Sequence, residues 1–201
     1  TAIAVAPGGA FACALATTGK VWCWGDNLYG QVGINVFGGQ IATPTQVTST
    51  QNFTAVAATL GTVCALNTAG AAYCWGDGRF GQLGWNSTGW SLVPYAVSGG
   101  RTFTAITAGT GHFCGLEAGG AVWCWGDNQL GQLGVPVAPG ATCGGQLCSA
   151  VPVQVQGGHT FRQISAGIGM TCGVTTTSEV YCWGWNTYGR LGPAAVAEYD
   201  T

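Results

Sequence analysis

A tryptophan followed by glycine recurs four times along the chain, at Trp24, Trp75, Trp125 and Trp183, each time inside the same longer phrase. The first copy reads Val21-Trp22-Cys23-Trp24-Gly25-Asp26-Asn27 and closes with Gly30-Gln31-Val32-Gly33. The others close with Gly81-Gln82-Leu83-Gly84, Gly131-Gln132-Leu133-Gly134 and Gly189-Arg190-Leu191-Gly192. The steps between the tryptophans are 51, 50 and 58 residues. A period of that size, built from short aromatic runs punctuated by glycine, belongs to small β-sheets stacked as repeats, most often as propeller blades. The chain is therefore expected to be all-β, a single repeat domain over residues 1–201 with four blades, near 1–43, 44–93, 94–151 and 152–201.

Cysteine placement narrows this further. Eight of the ten cysteines form four pairs ten residues apart: Cys13 with Cys23, Cys64 with Cys74, Cys114 with Cys124, and Cys172 with Cys182. Each pair flanks a turn-forming triplet, Thr17-Thr18-Gly19, Thr68-Ala69-Gly70, Ala118-Gly119-Gly120 or Thr176-Thr177-Ser178. A three-residue hairpin loop with glycine in the left-handed position makes the two cysteines cross-strand neighbours, about 4.5–5.5 Å apart at Cα and within reach of a disulfide. Ser178 stands in for glycine in the fourth loop, whose geometry is the least determined. Cys143 and Cys148 would close a smaller staple of their own. Zinc is the competing reading, but its ligand pairs usually stand two to four residues apart and combine in fours. Five local disulfides, no metal and a secreted or cell-surface location are expected.

The same register pairs Ala14 with Trp22, Ala65 with Tyr73, Gly115 with Trp123, and Gly173 with Tyr181. A small residue opposite a large ring in every copy is packing complementarity, so these aromatics are expected to pack rather than to stack on a ligand. After each of the first three Trp-Gly pairs, Asp26, Asp77 and Asp127 read as turn residues bonding their own backbone.

These phrases resemble the repeats of the regulator of chromosome condensation family. Ala108-Gly109, Gly115-Leu116, Val122, Trp125-Gly126, Asn128 and Gly131-Gln132-Leu133-Gly134 follow that family's string, and the other three copies match it with a few substitutions. The resemblance covers almost the whole chain and implies β-propeller blades. It leaves function open, because the architecture hosts nucleotide exchange, protein inhibition, light sensing and plain interaction surfaces.

Composition excludes some of these. Only 6% of the residues are charged, against roughly 25% in an average soluble protein. The five cations, Lys20, Arg79, Arg101, Arg162 and Arg190, are scattered through the repeats and the net charge is −2, so the basic footprint that nucleic acid requires is missing. Nine tryptophans against five cations also argue against light sensing by Arg-paired tryptophan clusters, the arrangement the family resemblance implies for that role. No run of 18 apolar residues is present and no leader-like segment opens the sequence, so membrane insertion is not expected and any signal peptide is expected to lie outside it. Catalysis has little to work with. His112 stands where the other copies carry Phe11, Thr62 and Met170, a packing position, and His159 lies in a different repeat context. Glu117, Glu179, Glu198 and Asp200 are dispersed, every cysteine is accounted for by pairing, and no phosphate-binding glycine loop opens a helix. No catalytic residue, cofactor or metal is expected.

Function is then expected where the copies differ. Residues 135–148 form an insertion carrying Gln146 and Leu147 inside the Cys143/Cys148 staple, read either as a recognition loop or as protection against proteolysis. Trp85 and Trp90 fall in a loop where repeat packing does not call for them, and Trp185 replaces the turn aspartate of the fourth copy. Each is a candidate for stacking on a sugar, anchoring a protein, or tucking against a neighbouring blade. Asn52 and Asn86 begin glycosylation sequons. Two function classes remain: a non-enzymatic extracellular interaction module that binds itself or another surface protein, and a carbohydrate-binding propeller using the loop tryptophans. A protein inhibitor is a third that no residue here specifically supports. Finally, Thr1, Ile3 and Val5 at the head match the inner-strand segment of the third copy, and Pro193 and Val196 in the tail match the outer one. The two could join within one chain or head to tail between copies, giving a fibre.

Overall fold

The structure is a computed structural model that describes residues 2–5, 9–136 and 142–192, with backbone only over Ala2–Val5. Four antiparallel sheets follow one another along the chain. The first holds β1 (Ala2–Val5), β2 (Phe11–Leu15), β3 (Val21–Asp26) and β4 (Gln40–Gln46), and the second holds β5 (Phe53–Ala58), β6 (Thr62–Asn67), β7 (Ala72–Asp77) and β8 (Trp90–Ala96). The third contains β9 (Ala105–Ala108), β10 (His112–Leu116), β11 (Val122–Asp127), β12 (Thr142–Cys143) and β13 (Gln146–Gln154), in the order β12-β13-β11-β10-β9. The fourth shows β14 (Phe161–Ala166), β15 (Met170–Thr175) and β16 (Val180–Gly184) among the described residues.

Each second strand turns into the third through the expected three-residue loop. Gly19, Gly70 and Gly120 sit at φ +79°, +82° and +84°, and Ser178 adopts the same left-handed conformation at +70°. The fourth turn tolerates a serine because its strand ends are tied elsewhere: Thr175 Oγ1 accepts from the Glu179 amide at 3.0 Å, and Thr177 Oγ1 donates to the Glu179 carboxylate at 2.9 Å. Five disulfides are formed, four across the hairpins and one between Cys143 and Cys148. The hairpin cysteines lie 4.0–4.1 Å apart at Cα, closer than the expected 4.5–5.5 Å. Counting from the hydrogen-bonded pair Ala16/Lys20 puts Cys13 opposite Cys23 at a non-hydrogen-bonded position, where antiparallel strands approach most nearly. The predicted small-against-aromatic pairs occur in all four sheets.

The expected boundaries at 43/44, 93/94 and 151/152 fall inside β4, β8 and β13. Pro44, Pro94 and Pro152 stand directly after these boundaries, and they do not begin a blade. They lie in its outer strand, at a bulge where three residues face the single Trp24, Trp75 or Trp125. A residue without an N–H is tolerated there because the ladder is already broken.

Among the described residues the core is divided between the sheets. One cluster, including Phe11, Val32, Phe53 and Trp75, lies between the first and second sheets; another, including Leu66, Leu83, Phe113 and Trp125, lies between the second and third; a third, including Leu116, Leu133, Phe161 and Trp183, joins the third to the fourth. Each sheet is thus held by its neighbours, as in a stacked array. Among the described residues no core cluster or strand pairing links the fourth sheet to the first.

Candidate functional site

The glycine-rich corner after each Trp-Gly explains how neighbouring blades lock. The indole N–H of Trp75 donates to the Gln31 carbonyl at 3.0 Å, Trp125 to Gln82 at 2.9 Å, and Trp183 to Gln132 at 3.0 Å. The last glycine of each of the first three corners is bare because the next blade's indole fills its space. A Cβ on Gly33 would come 2.6 Å from Trp75 Nε1, and one on Gly134 would come 2.9 Å from Trp183 Nε1. A second link joins the same partners: the Asn35 amide donates to the Leu92 carbonyl at 3.0 Å and the Asn86 amide to the Ala150 carbonyl at 2.8 Å, reaching the outer-strand bulge of the following blade.

The corner side chains are occupied as well. Gln31 Oε1 accepts from the Tyr29 amide at 2.8 Å while its Nε2 donates to Asp26, and Gln132 repeats the pattern with the Leu130 amide and Asp127. The aspartates therefore do more than close their own turns; they also orient the glutamine whose carbonyl receives the next blade. Asn27 and Asn128 cap the same corners, accepting from Val32 and Leu133.

Three of these corners converge on a cleft of about 370 Å³, lined by Tyr29 of the first blade, Leu60, Asp77, Arg79 and Phe80 of the second, and Thr110, Asp127, Gln129 and Gln146 of the third. Arg79 grips Asp77 through Nε at 3.0 Å and Nη2 at 2.9 Å, and its guanidinium lies 4.5 Å from the Tyr29 ring centre. The hydrogen bond with Asp77 raises the guanidinium further above its ordinary range, so it stays charged. Gln146 arrives from the stapled insertion and accepts from Gln129 Nε2 at 3.1 Å. The Cys143–Cys148 bridge closes the short β12–β13 hairpin, and that hairpin delivers Gln146 to the cleft. One cation faces two carboxylates, Asp77 and Asp127, so the lining carries one excess negative charge. No cysteine, histidine or lysine is among its lining residues.

The remaining sequence candidates go to different places. Trp85 is half-buried, edge-on to Tyr95 at 4.9 Å, with its N–H on the Ser87 carbonyl. Trp90 is 54% exposed and stacks at 6.0 Å on Phe37, itself 58% exposed and contributed by the first blade. Trp185 lies under the Arg190 guanidinium at 3.9 Å. The three tryptophans thus have different ring partners and form no common platform; Trp90 is paired with Phe37, a residue not singled out from the sequence, although an aromatic before Gly38-Gly39 in a loop was the signal that could have found it. Leu147 is exposed beside Gln146, and Asn52 and Asn86 are both exposed. Ile3 and Val5 pair with Ala14 and Ala12 as part of the inner strand. Thr1, Pro193 and Val196 lie outside the described residues.

His112 is buried at the junction of the third and fourth blades, with Nε2 2.8 Å from Thr171 Oγ1, which itself donates to the Gln132 carbonyl at 3.0 Å. Nδ1 has no partner among the described residues, and burial lowers the imidazole pKa to about 4. His159 stacks 3.8 Å from the Tyr181 ring. Among the described residues no group of three or more His, Cys, Asp or Glu is placed to hold a metal ion.

The comparisons agree with this construction. Two models of the regulator of chromosome condensation (RCC1) repeat match, one over residues 1–31, 53–82, 103–132 and 161–190, the other over 18–66, 69–116 and 119–174. The chain belongs to the regulator of chromosome condensation repeat family. Its RCC1 repeats are 35% identical over 94 residues to the probable E3 ubiquitin-protein ligase HERC4 of Rattus norvegicus, a match covering 46% of this chain and only 9% of that protein. Human WBSCR16 superposes with a TM-score of 0.79 at 22% identity, covering 96% of this RCC1-repeat chain and 49% of that one. Yeast RCC1 (Prp20), in a structure bound to Kap60, gives 0.79 at 21% identity, covering 93% and 44%. These structures establish the fold; the chain spans about half of each.

Proposed function

We propose that this RCC1-repeat chain is a non-catalytic interaction module, working outside the cell, whose cleft between the first three blades receives a segment of a partner protein. The observation that carries this reading is the Gln146–Gln129 hydrogen bond, which brings the stapled insertion against the cleft. Added loops on a rigid repeat scaffold are the usual carriers of recognition. Tyr29, Leu60 and Phe80 supply apolar walls, Gln129 and Gln146 supply amide hydrogen bonds, and the excess carboxylate favours a lysine or arginine of the partner. Five disulfides support an extracellular setting. That Prp20 binds Kap60 supports protein interaction as a use of this scaffold in general. The test is selection of displayed peptides against the wild-type chain, counter-screened with Thr110→Trp, which fills the cleft. Basic peptides that lose binding to Thr110→Trp are expected; peptides that bind both proteins equally would overturn the reading.

A second reading, glycan binding, is favoured by the exposed Phe37–Trp90 stack, a surface on which a sugar ring could lie. A glycan array with Trp90→Ala as control separates the two.

A further inference from the structure

Arg79 occupies the cleft as a ligand would. Its guanidinium presents a flat fork to Asp77, with Nε 3.0 Å from Oδ1 and Nη2 2.9 Å from Oδ2, while the Tyr29 ring of the first blade is centred 4.5 Å away and the Phe80 ring 6.0 Å away. A carboxylate that offers both oxygens to a planar fork, with an aromatic face beside it, is a seat for a guanidinium rather than for an ammonium.

The blade itself does not need a cation there. The matching residues of the first and third blades are Leu28 and Gln129, and in both of those blades the side chain that holds the aspartate is the corner glutamine, Gln31 or Gln132, at 2.9 Å. In the second blade Gln82 still accepts from the Phe80 amide at 2.7 Å, yet its Nε2 makes no bond to Asp77 among the described residues; Arg79 holds that carboxylate instead. The hold is loose on one side. The Arg79 side chain is 49% exposed against 9% for Asp77, and an ion pair half in water binds its mobile partner weakly. The carboxylate is thus fixed and enclosed, while the guanidinium has an open path into solvent.

We propose that Arg79 is a resident competitor in the cleft, and that an arginine of the partner displaces it and takes its place between Asp77 and Tyr29. This rests on the reading of the cleft as the partner site and names the residue that enters it. Asp77 is the receiving carboxylate. Asp127 already accepts from Gln132 Nε2 and from the Gln129 amide within its own blade, whereas every side-chain donor to Asp77 belongs to Arg79. The exchange keeps the seat balanced, because one guanidinium leaves as another arrives and the enclosed carboxylate is not left without a cation. While Arg79 sits there, the apparent affinity for an incoming arginine is lowered by the fraction of time the seat stands open.

Titration of the full chain with N-acetyl-arginine methylamide, followed by NMR, tests it; the citrulline analogue, alike in shape but uncharged, is the control probe. The variants are Arg79→Leu and Arg79→Gln, which carry the residue types of the first and third blades at this position. Both are expected to bind the arginine probe about tenfold more tightly than wild type, the gain for a seat that Arg79 leaves open about a tenth of the time. The citrulline probe is expected to gain nothing, and Asp77→Asn added to Arg79→Leu is expected to abolish the gain. Equal or weaker binding of the arginine probe by both Arg79 variants, an equal gain for citrulline, or a gain that survives Asp77→Asn would each overturn the proposal. The cleft reading fails separately: selected peptides lost by Thr110→Trp but unmoved by the Arg79 variants overturn the displacement alone, whereas peptides indifferent to Thr110→Trp overturn both. Amide shifts matching wild type away from the cleft confirm that the variants are folded.

Discussion

Trp75 and Gln31 are 44 residues apart in the chain, yet the indole N–H of one lies 3.0 Å from the main-chain oxygen of the other, with both residues fully buried. Removing the donor in any such pair leaves a buried carbonyl without its partner. Trp125→Phe, which keeps an aromatic ring but frees the Gln82 oxygen, is expected to cost about 1–3 kcal/mol in urea unfolding. Trp125→Ala is expected to cost about 3–5 kcal/mol.

Gly84 and Gly38 separate packing from backbone strain. Both have positive φ, +65° and +85°, but a Cβ at Gly84 would lie 3.0 Å from the Trp125 ring while one at Gly38 would meet nothing within 4 Å. Gly38→Ala is expected to lose about 1 kcal/mol from the backbone alone. Gly84→Ala is expected to lose about 1–3 kcal/mol more, because the indole has to move. Equal losses in thermal or urea denaturation would show that the corner yields freely.

The buried His112 makes stability depend on pH in a defined window. Its pKa is lowered from 6.5 to about 4 by burial. The unfolded chain therefore takes up a proton below pH 6.5 that the folded chain refuses until about pH 4. Stability is fully present above 6.5 and declines as pH falls through this window, by about 3 kcal/mol at the lower end. His112→Phe, which places there the residue found at the equivalent Phe11, is expected to flatten this slope; an unchanged slope would assign the acid sensitivity elsewhere.

Trp85 and Trp90, neighbours in sequence, are expected to respond differently to truncation. Trp85→Ala removes a half-buried ring packed on Tyr95 and should cost about 2–3 kcal/mol. Trp90→Ala removes an exposed ring and should cost less than about 1 kcal/mol, while abolishing any glycan binding by the Phe37 stack.

The bridge Cys172–Cys182 is expected to open first under graded reduction, since it is partly exposed and the other three hairpin bridges are buried. Differential alkylation with peptide mapping reads the order directly.

The blade count, the hairpin register and the disulfide pairing were legible because each rests on local spacing. A ten-residue Cys-to-Cys step about a three-residue loop admits one register, and Ala14 opposite Trp22 follows from it. What joins blades was not legible in the same way. Trp75 with Gln31 and Asn35 with Leu92 are contacts across about one repeat, and the participating groups are largely main-chain atoms that carry no sequence signature. The expected boundaries cut through outer strands for a related reason: Pro44, Pro94 and Pro152 mark an interrupted ladder, and the sequence does not say whether the interruption is a loop or a bulge. The cleft combines side chains from three repeats, so only the placement of Gln146 in an unusual insertion hinted at it.

In the interior blades each unit of about 50 residues carries its own cross-link, its own donor tryptophan and its own receiving corner. No bridge ties one unit to another. A tandem duplication or deletion of a whole unit in the coding sequence would therefore leave no orphaned cysteine, and the new junction would again bring a Trp-Gly indole to a glycine corner. Chains of this kind can lengthen or shorten in inheritance by whole modules, without compensating changes elsewhere.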